Sequence, residues 1–181
     1  MTQRNAQQIR QLLSELLLGR FDWARYCQPL PSLPNTDILR LDQVHPLLQG
    51  NKALKLAGWW QRFEPGTYRK ILTFGGCWSN HLHASAAFAY ALDIPLTCLV
   101  RGYSTVPLTP TLQDCANWGA DLVFLNKQEY ARRYDSGYQE ELAQLHDALV
   151  IPEGGAGEAG ELACFELARF VQHYDECWLA A

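Results

Sequence analysis

The sequence contains no cluster of lysines and arginines and no long run of apolar residues. Its 181 residues include 15 basic and 19 acidic side chains, and the formal net charge is −4. Proteins that bind nucleic acids concentrate basic side chains on one face, so we expect no nucleic-acid partner. A helix that spans a bilayer needs about 20 consecutive apolar residues, so we expect no membrane partner either.

The six cysteines are not arranged as a metal site. No two of them stand at the C-x-x-C spacing that is typical of zinc and redox sites. Most lie in apolar runs, where a free cysteine behaves as a small hydrophobic side chain. The polar N-terminus has no apolar signal-peptide core. We therefore expect reduced thiols and a cytoplasmic protein.

What the sequence does have is a regular alternation of apolar strands and helices. Strands are predicted near residues 71–75, 96–100, 121–125 and 149–151, with a helix in each interval. Elements that alternate at this length predict β-α-β units and a parallel sheet that helices cover on both faces. Upstream, the pattern predicts an amphipathic N-terminal helix and a second helix that begins at Lys52.

Lys52 stands directly after Gly50-Asn51, at the start of that second helix. A helix N-terminus carries partial positive charge and disfavours another cation, so a lysine placed there can lose its proton more easily than a free one. A neutral lysine amine is the group that forms Schiff bases. Taken alone, the segment is better explained by a solvated lysine that opens a surface helix.

A second segment combines a strand, a glycine turn and a helix start. The strand that ends in Gly75-Gly76 is followed by Ser79-Asn80, which open an alanine-rich helix. This order of elements is a common anion site in α/β proteins, because free backbone N–H groups point out of the helix start. A simple N-cap by Ser79 or Asn80 is the alternative.

Three motifs together carry a resemblance to a known family: Gly50-Asn51-Lys52, then Gly75-Gly76-x-x-Ser79-Asn80-His81, then Ile151-Pro152-Glu153-Gly154-Gly155. In order and rough spacing they resemble the 1-aminocyclopropane-1-carboxylate deaminase / D-cysteine desulfhydrase family of fold-type II pyridoxal-phosphate enzymes. The resemblance implies an α/β fold, namely the three-layer parallel-sheet lobe of the tryptophan synthase β-like fold, with an incomplete second lobe. It assigns residues 1–45 to the N-terminal part of a large lobe, residues 46–152 to a small lobe with the cofactor lysine, and residues 153–181 to the truncated start of the large lobe.

The resemblance also implies roles for individual residues. Lys52 would hold pyridoxal 5'-phosphate and shuttle the substrate α-proton, and Asn80 would hydrogen-bond the cofactor's 3-hydroxyl group. Ser79, with backbone N–H groups near Asn80 and His81, would bind the substrate carboxylate. The implied substrate is a small amino acid, either 1-aminocyclopropane-1-carboxylate or D-cysteine, which gives a 2-oxo acid and ammonia. The full-length enzyme would be a homodimer.

The chain departs from the family pattern at several places. Leu54 stands where relatives often have arginine, and Ala156-Gly157 stand where they often have serine or asparagine. The glycine- and threonine-rich phosphate cradle is expected beyond a strand that opens near Cys177. A truncated, non-catalytic fragment and a related enzyme such as a cysteine synthase are therefore alternatives. An interrupted lobe also predicts exposed apolar side chains at Leu12, Leu16, Trp178 and Leu179.

Three other patterns receive ordinary explanations. Residues 155–160 fit the dinucleotide fingerprint G-x-G-x-x-G, but nearby glutamates would repel a pyrophosphate. His81 and His83 point in different directions from one helix, so they do not suggest a metal. Residues 130–138, with their arginines and tyrosines, are interpreted as a solvated face.

Overall fold

The computed structural model describes residues 1–104 and 107–178. A parallel four-stranded sheet, in the order β5-β4-β3-β6, forms its centre. The strands are β3 (Lys70–Gly76), β4 (Leu96–Arg101), β5 (Asp121–Leu125) and β6 (Ala148–Ile151). A separate antiparallel pair consists of β1 (Cys27–Pro29) and β2 (Asp37–Leu39). The predicted parallel sheet is confirmed.

Helices alternate with these strands. They are α1 (Gln3–Leu17), α2 (Lys52–Trp60), α3 (Asn80–Leu92), α4 (Pro110–Asn117), α5 (Lys127–Ala131), α6 (Ser136–His146) and α7 (Glu158–Val171). Side-chain caps set where several of them begin: Ser79 accepts from the backbone N–H of Leu82 at the start of α3, and Thr109 accepts from that of Leu112 at the start of α4. Such caps satisfy N–H groups that have no partner inside the helix.

Alternating side chains of the sheet enter two hydrophobic clusters, one on each face. Ile71, Cys98 and Val100 join the larger cluster with residues of helices α1 to α4. Leu72, Phe74 and Leu99 join the smaller cluster with residues of α5 and α6. Successive residues of a strand point to opposite faces, so strands buried on both sides produce three layers. This is the α/β lobe that the resemblance implied.

Helix α1 packs on the same core as the central sheet. Leu12 and Leu16 are buried, at 6% and 8% exposure. The expectation that these leucines lie exposed is therefore wrong, because they contact the cluster that also contains residues of α2 and α3. The division of the chain into lobes at residues 45 and 152 stays a prediction.

Helix α7 crosses α2 at close range. A Cβ atom added to Gly58 would lie 2.1 Å from the Ala159 carbonyl oxygen, so only glycine permits this approach. After α7, Cys177 and Trp178 lie in no regular element, and Trp178 is 88% exposed. The strand expected to open near Cys177 is not formed at these two residues, and Leu179 to Ala181 lie outside the described residues.

Candidate functional site

The candidate site lies where the strand order reverses. The chain steps outward from β3 to β4 and β5, then returns to place β6 on the other side of β3. Ile151, the last residue of β6, is paired with Thr73 in the middle of β3. Ligands of open parallel sheets bind at such a reversal, outside the carboxyl ends of the strands. The turns after these two strands contain the second and third sequence motifs.

The turn after β3 packs tightly against the first turn of α3. A Cβ atom added to Gly75 would lie 2.6 Å from Leu82 Cγ and 2.8 Å from Ser79 Oγ, whereas one added to Gly76 would meet nothing within 4 Å. Ser79 caps the helix, with its Oγ accepting from the Leu82 N–H at 3.3 Å. The hydroxyl proton of Ser79 is not used by this cap, so the hydroxyl can still donate to a ligand.

Asn80 and His81 occupy the first two positions of α3 and differ in exposure. Asn80 is exposed, and His81 is buried. Backbone N–H groups in the first turn of a helix lack intrahelical partners, and the helix dipole favours an anion beside them. This helix start can therefore bind a carboxylate, and the assignment of Ser79, Asn80 and His81 to the substrate carboxylate stays a prediction.

Lys52 begins α2 and is partly buried. Its Nζ donates to the side-chain oxygen of Asn51 at 2.8 Å. Burial lowers the pKa of Lys52, the charge of Lys55 lowers it further, and Cys164 of α7 opposes the effect. A lysine with a lowered pKa has a larger fraction of neutral, nucleophilic amine at neutral pH.

His81 connects the motif after β3 with the lysines of α2. Its Nε2 lies 2.8 Å from the Oγ of Thr73, which is buried in the interior strand β3. Burial lowers the pKa of His81 to about 3, and the charges of Lys52 and Lys55 contribute in the same direction. The imidazole is therefore neutral at neutral pH and within electrostatic reach of Lys52. How the Lys52 amine lies relative to Ser79 and Asn80 stays a prediction.

The glycine turn after β6 packs against α2. Gly154 and Gly155 have positive φ values of 72° and 70°. Trp59 Nε1 donates to the Gly155 carbonyl at 3.2 Å, and Lys55 Nζ lies 3.5 Å from the Gly154 carbonyl. A Cβ atom on Gly160 would come within 2.1 Å of the Gly155 oxygen. These glycines permit the turn to pack against α2 and the start of α7, which gives the fingerprint-like spacing a packing explanation.

Glu153 in the same turn is held by a cluster that the sequence interpretation missed. Its carboxylate accepts hydrogen bonds from Tyr130 Oη at 2.6 Å, Arg133 Nε at 2.6 Å and Tyr134 Oη at 2.8 Å. Burial raises the pKa of Glu153, but these hydrogen bonds together outweigh burial and lower it. Tyr130 is only 3% exposed.

The interpretation of residues 130–138 as a solvated face holds for most of the stretch, but Tyr130 is buried and Arg133 pairs with Glu153. Asn126 and Glu129 form a capping box at the start of α5, and this helix turns Tyr130 toward the core. The Asn-x-x-Glu spacing was a helix-start signal that could have been read in the sequence. No sequence pattern indicated that Glu153, some twenty residues on, would receive the hydrogen bonds.

Two further observations concern metal ions and membranes. Within residues 1–104 and 107–178, no group of three or more histidine, cysteine, aspartate or glutamate side chains is placed to hold a metal ion. His83 instead lies 3.2 Å from Asp114 of α4. In the same part of the chain, no helix combines the length and apolar character that crossing a lipid bilayer requires.

Comparisons with known proteins agree with this architecture. No family model matches the chain. A rice protein (Oryza sativa subsp. japonica) named "Putative D-cysteine desulfhydrase 2, mitochondrial" is 30% identical over 124 residues, which cover 67% of this chain and 28% of the rice protein. The crystal structure of an ACC deaminase homologue superposes with a TM-score of 0.65 at 22% identity, over 90% of this chain and 54% of that one. The chain thus spans about a quarter to a half of the length of these relatives.

Proposed function

Because this chain belongs to the 1-aminocyclopropane-1-carboxylate deaminase / D-cysteine desulfhydrase family, we propose that it carries the lysine-bearing part of a pyridoxal-phosphate-dependent deaminase or desulfhydrase site. Lys52 is the cofactor lysine. The observation that carries the proposal is the partly buried amine of Lys52, whose pKa is lowered and whose charge acts on His81 at the start of α3.

The residues at this site fit one end of the cofactor. When bound, pyridoxal phosphate supplies an electron sink for the negative charge that develops at the substrate α-carbon. The amine of Lys52 fits the aldehyde carbon, because its lowered pKa leaves more of it neutral. Asn80, exposed at the start of α3, can hydrogen-bond the ring hydroxyl.

The glycine turn after β6 is a poor partner for the phosphate end of the cofactor. The turn at residues 154–157 is rich in glycine, but the N–H groups of Gly155 and Ala156 already donate to Pro152 and Glu153 carbonyls. Glu158 follows this turn at the start of α7 and would repel a phosphate. A phosphate dianion needs several free N–H groups. The N–H groups of Gly155 and Ala156 do not meet this requirement.

This chain's own residues have two roles, which are to bind the substrate carboxylate and to transfer the α-proton. The first turn of α3 and the Ser79 hydroxyl bind and orient the substrate carboxylate. Lys52, when neutral, accepts the α-proton at Nζ and later returns a proton. His81 adds no positive charge to this carboxylate site, since its imidazole is neutral.

The substrate under this proposal is 1-aminocyclopropane-1-carboxylate or D-cysteine, and the products are a 2-oxo acid and ammonia, with sulfide in the case of D-cysteine. Relatives that share the fold carry other chemistries, and fold alone does not choose among them. We expect the 181-residue chain by itself to react weakly with the cofactor and to turn over little. A reacting group misplaced by about 1 Å can lose on the order of a hundredfold in rate.

The test is covalent trapping of the cofactor. The chain is incubated with pyridoxal phosphate, reduced with borohydride and digested, and the modified lysine is identified by mass spectrometry. Modification should fall on Lys52 and disappear in Lys52→Ala. Lys55→Ala is the matched control, because Lys55 lies three residues further on the same helix and should leave the labelling of Lys52 in place. Labelling spread evenly over surface lysines, or unchanged in Lys52→Ala, contradicts the assignment.

A further inference from the structure

Three side chains that follow β5 form a clamp on one carboxylate in the turn after β6. The Glu153 carboxylate accepts from Tyr130 Oη and from Arg133 Nε, each at 2.6 Å. It also accepts from Tyr134 Oη at 2.8 Å. The guanidinium carbon of Arg133 lies 4.5 Å and 4.0 Å from the centres of the two tyrosine rings, so the arginine stacks on both. Hydrogen bonds to a charged acceptor are short and strong, so the clamp fixes the position of Glu153.

The turn that Glu153 opens lies where three helices meet. A Cβ atom added to Gly155 would lie 3.2 Å from Lys55 Cβ of α2 and 3.6 Å from His81 Cε1 of α3. The carbonyl oxygen of Gly155 would lie 2.1 Å from a Cβ atom added to Gly160 of α7. Gly155 therefore lies between α2, the first turn of α3 and the start of α7, and its position sets how far apart they stand.

Hydrogen bonds join this turn to the helix that Lys52 begins. Trp59 Nε1 donates to the Gly155 carbonyl at 3.2 Å, and Lys55 Nζ lies 3.5 Å from the Gly154 carbonyl. Lys52, Lys55 and Trp59 all belong to the nine-residue helix α2. A helix moves largely as one body, so a shift of the turn changes the surroundings of Lys52 as well.

We propose that Glu153 is a positioning residue for Lys52: held by the clamp, it fixes the glycine turn that sets the separation of α2 from the first turn of α3. The inference rests on the proposed function, because it takes Lys52 as the reactive lysine. Glu153 itself touches neither substrate nor cofactor under this proposal. A role in stability alone would leave Lys52 unaffected when the clamp is weakened.

Two variants weaken the clamp, and a third is their matched control. Glu153→Gln keeps the shape of the side chain but loses its charge, and its amide nitrogen must face at least one of the three donors. Tyr134→Phe removes one hydrogen bond at a side chain that is 65% exposed. Glu141→Gln is the control, because Glu141 of α6 pairs with Arg132 at 3.5 Å on the surface.

The readout is the reactivity of Lys52 against pH, followed by competitive labelling with acetic anhydride and mass spectrometry. Lys70 is the internal reference, since it lies at the amino end of β3, where its Nζ donates to Thr97 Oγ at 3.2 Å. Burial is the largest cause of the lowered pKa of Lys52, with the charge of Lys55 acting in the same direction and Cys164 opposing it. A loosened turn should expose the amine to water and raise its pKa.

In Glu153→Gln we expect the labelling of Lys52 relative to Lys70 at pH 8 to fall about threefold, the equivalent of about half a pKa unit. Tyr134→Phe should lower the ratio by less, and Glu141→Gln should leave it unchanged. An influence of Glu153 through its negative charge alone would have the opposite sign, because loss of a carboxylate lowers the pKa of a nearby lysine. Faster labelling, or an unchanged ratio in a folded Glu153→Gln protein, overturns the inference. If Glu153→Gln does not fold, Tyr134→Phe decides by the same ratio.

A double-mutant cycle tests the route through the turn. Trp59→Phe keeps an aromatic ring but loses the donor to the Gly155 carbonyl, so it should also slow the labelling of Lys52. Combined with Glu153→Gln, it should add little, because both changes break the same connection. Effects that multiply independently refute the route. None of these measurements uses pyridoxal phosphate, so failed cofactor trapping with an intact response would reject the proposed function and leave the link between Glu153 and α2 standing.

Discussion

Replacing Gly58 with alanine should push helix α7 away from helix α2. The added Cβ would lie 2.1 Å from the Ala159 carbonyl oxygen and 2.8 Å from Ala163 Cβ, whereas ordinary contact begins at 3.4 Å. The helices must therefore separate by roughly 1 Å or more, since a backbone carbonyl cannot rotate out of the way as a flexible side chain can.

The size of the effect follows from two opposing contributions. Overpacking a tight contact costs about 1–3 kcal/mol, and a clash with backbone belongs at the upper end. Alanine in a helix interior is favoured over glycine by about 1 kcal/mol, which opposes this cost. The net loss is about 2 kcal/mol, and for a domain of this length it lowers the melting temperature by about 4–8 °C.

Thermal unfolding followed by circular dichroism measures this loss. The control is Gly137→Ala in the first turn of α6, where the added Cβ would meet only the exposed Asp135 side chain, at 3.3 Å. That variant should melt at the same temperature as the unaltered protein or slightly above it, since only the helix preference of alanine remains.

The same variant reports on the site. Lys52 lies on α2 and Cys164 lies on α7, so separation of the helices exposes Lys52 to water. Burial is the largest cause of its lowered pKa, and exposure should therefore raise the apparent pKa of Lys52 toward its ordinary value. A Gly58→Ala protein that melts no lower than the unaltered one, with unchanged Lys52, would refute the close approach of α2 and α7.

Two further perturbations test the turns after β3 and β6. Glu153→Gln should lower the free energy of unfolding by about 2 kcal/mol at pH 7, since it weakens charge-assisted hydrogen bonds. The folded-state pKa of Glu153 is lowered. Its contribution to stability is therefore present above the unfolded-state pKa and is lost as pH falls through the folded-state pKa. The difference in melting temperature between the two proteins should accordingly shrink below about pH 4, and a constant difference down to pH 2 would speak against the cluster. Gly75→Ala should destabilise the protein by about 1–3 kcal/mol, because its Cβ would collide with Leu82 and Ser79. Gly76→Ala is the control and should leave the melting temperature unchanged. Equal effects at the two glycines would contradict the packing of this turn.

The sequence alone predicted the elements that depend on local chemistry. Apolar runs predicted the bounds of β3 to β6 to within one or two residues, and Ser79 marked the start of α3. Caps, prolines and alternation act through neighbours a few residues apart, so they can be read without knowing the fold. The order of the three motifs also pointed to the family, and the resemblance singled out Lys52.

Only the tertiary structure decided the surroundings of those residues. The hydrogen bonds to Glu153 come from side chains some twenty residues earlier in the chain. Gly58 and Ala159, which are in contact, are about a hundred residues apart in the sequence. Periodicity carries no information about which distant residues meet, because that depends on strand order and on how closely two helices can approach. For the same reason, His81 could be named from the motif, whereas its buried, unpartnered nitrogen could be found only once β3, β6 and α2 were placed around it.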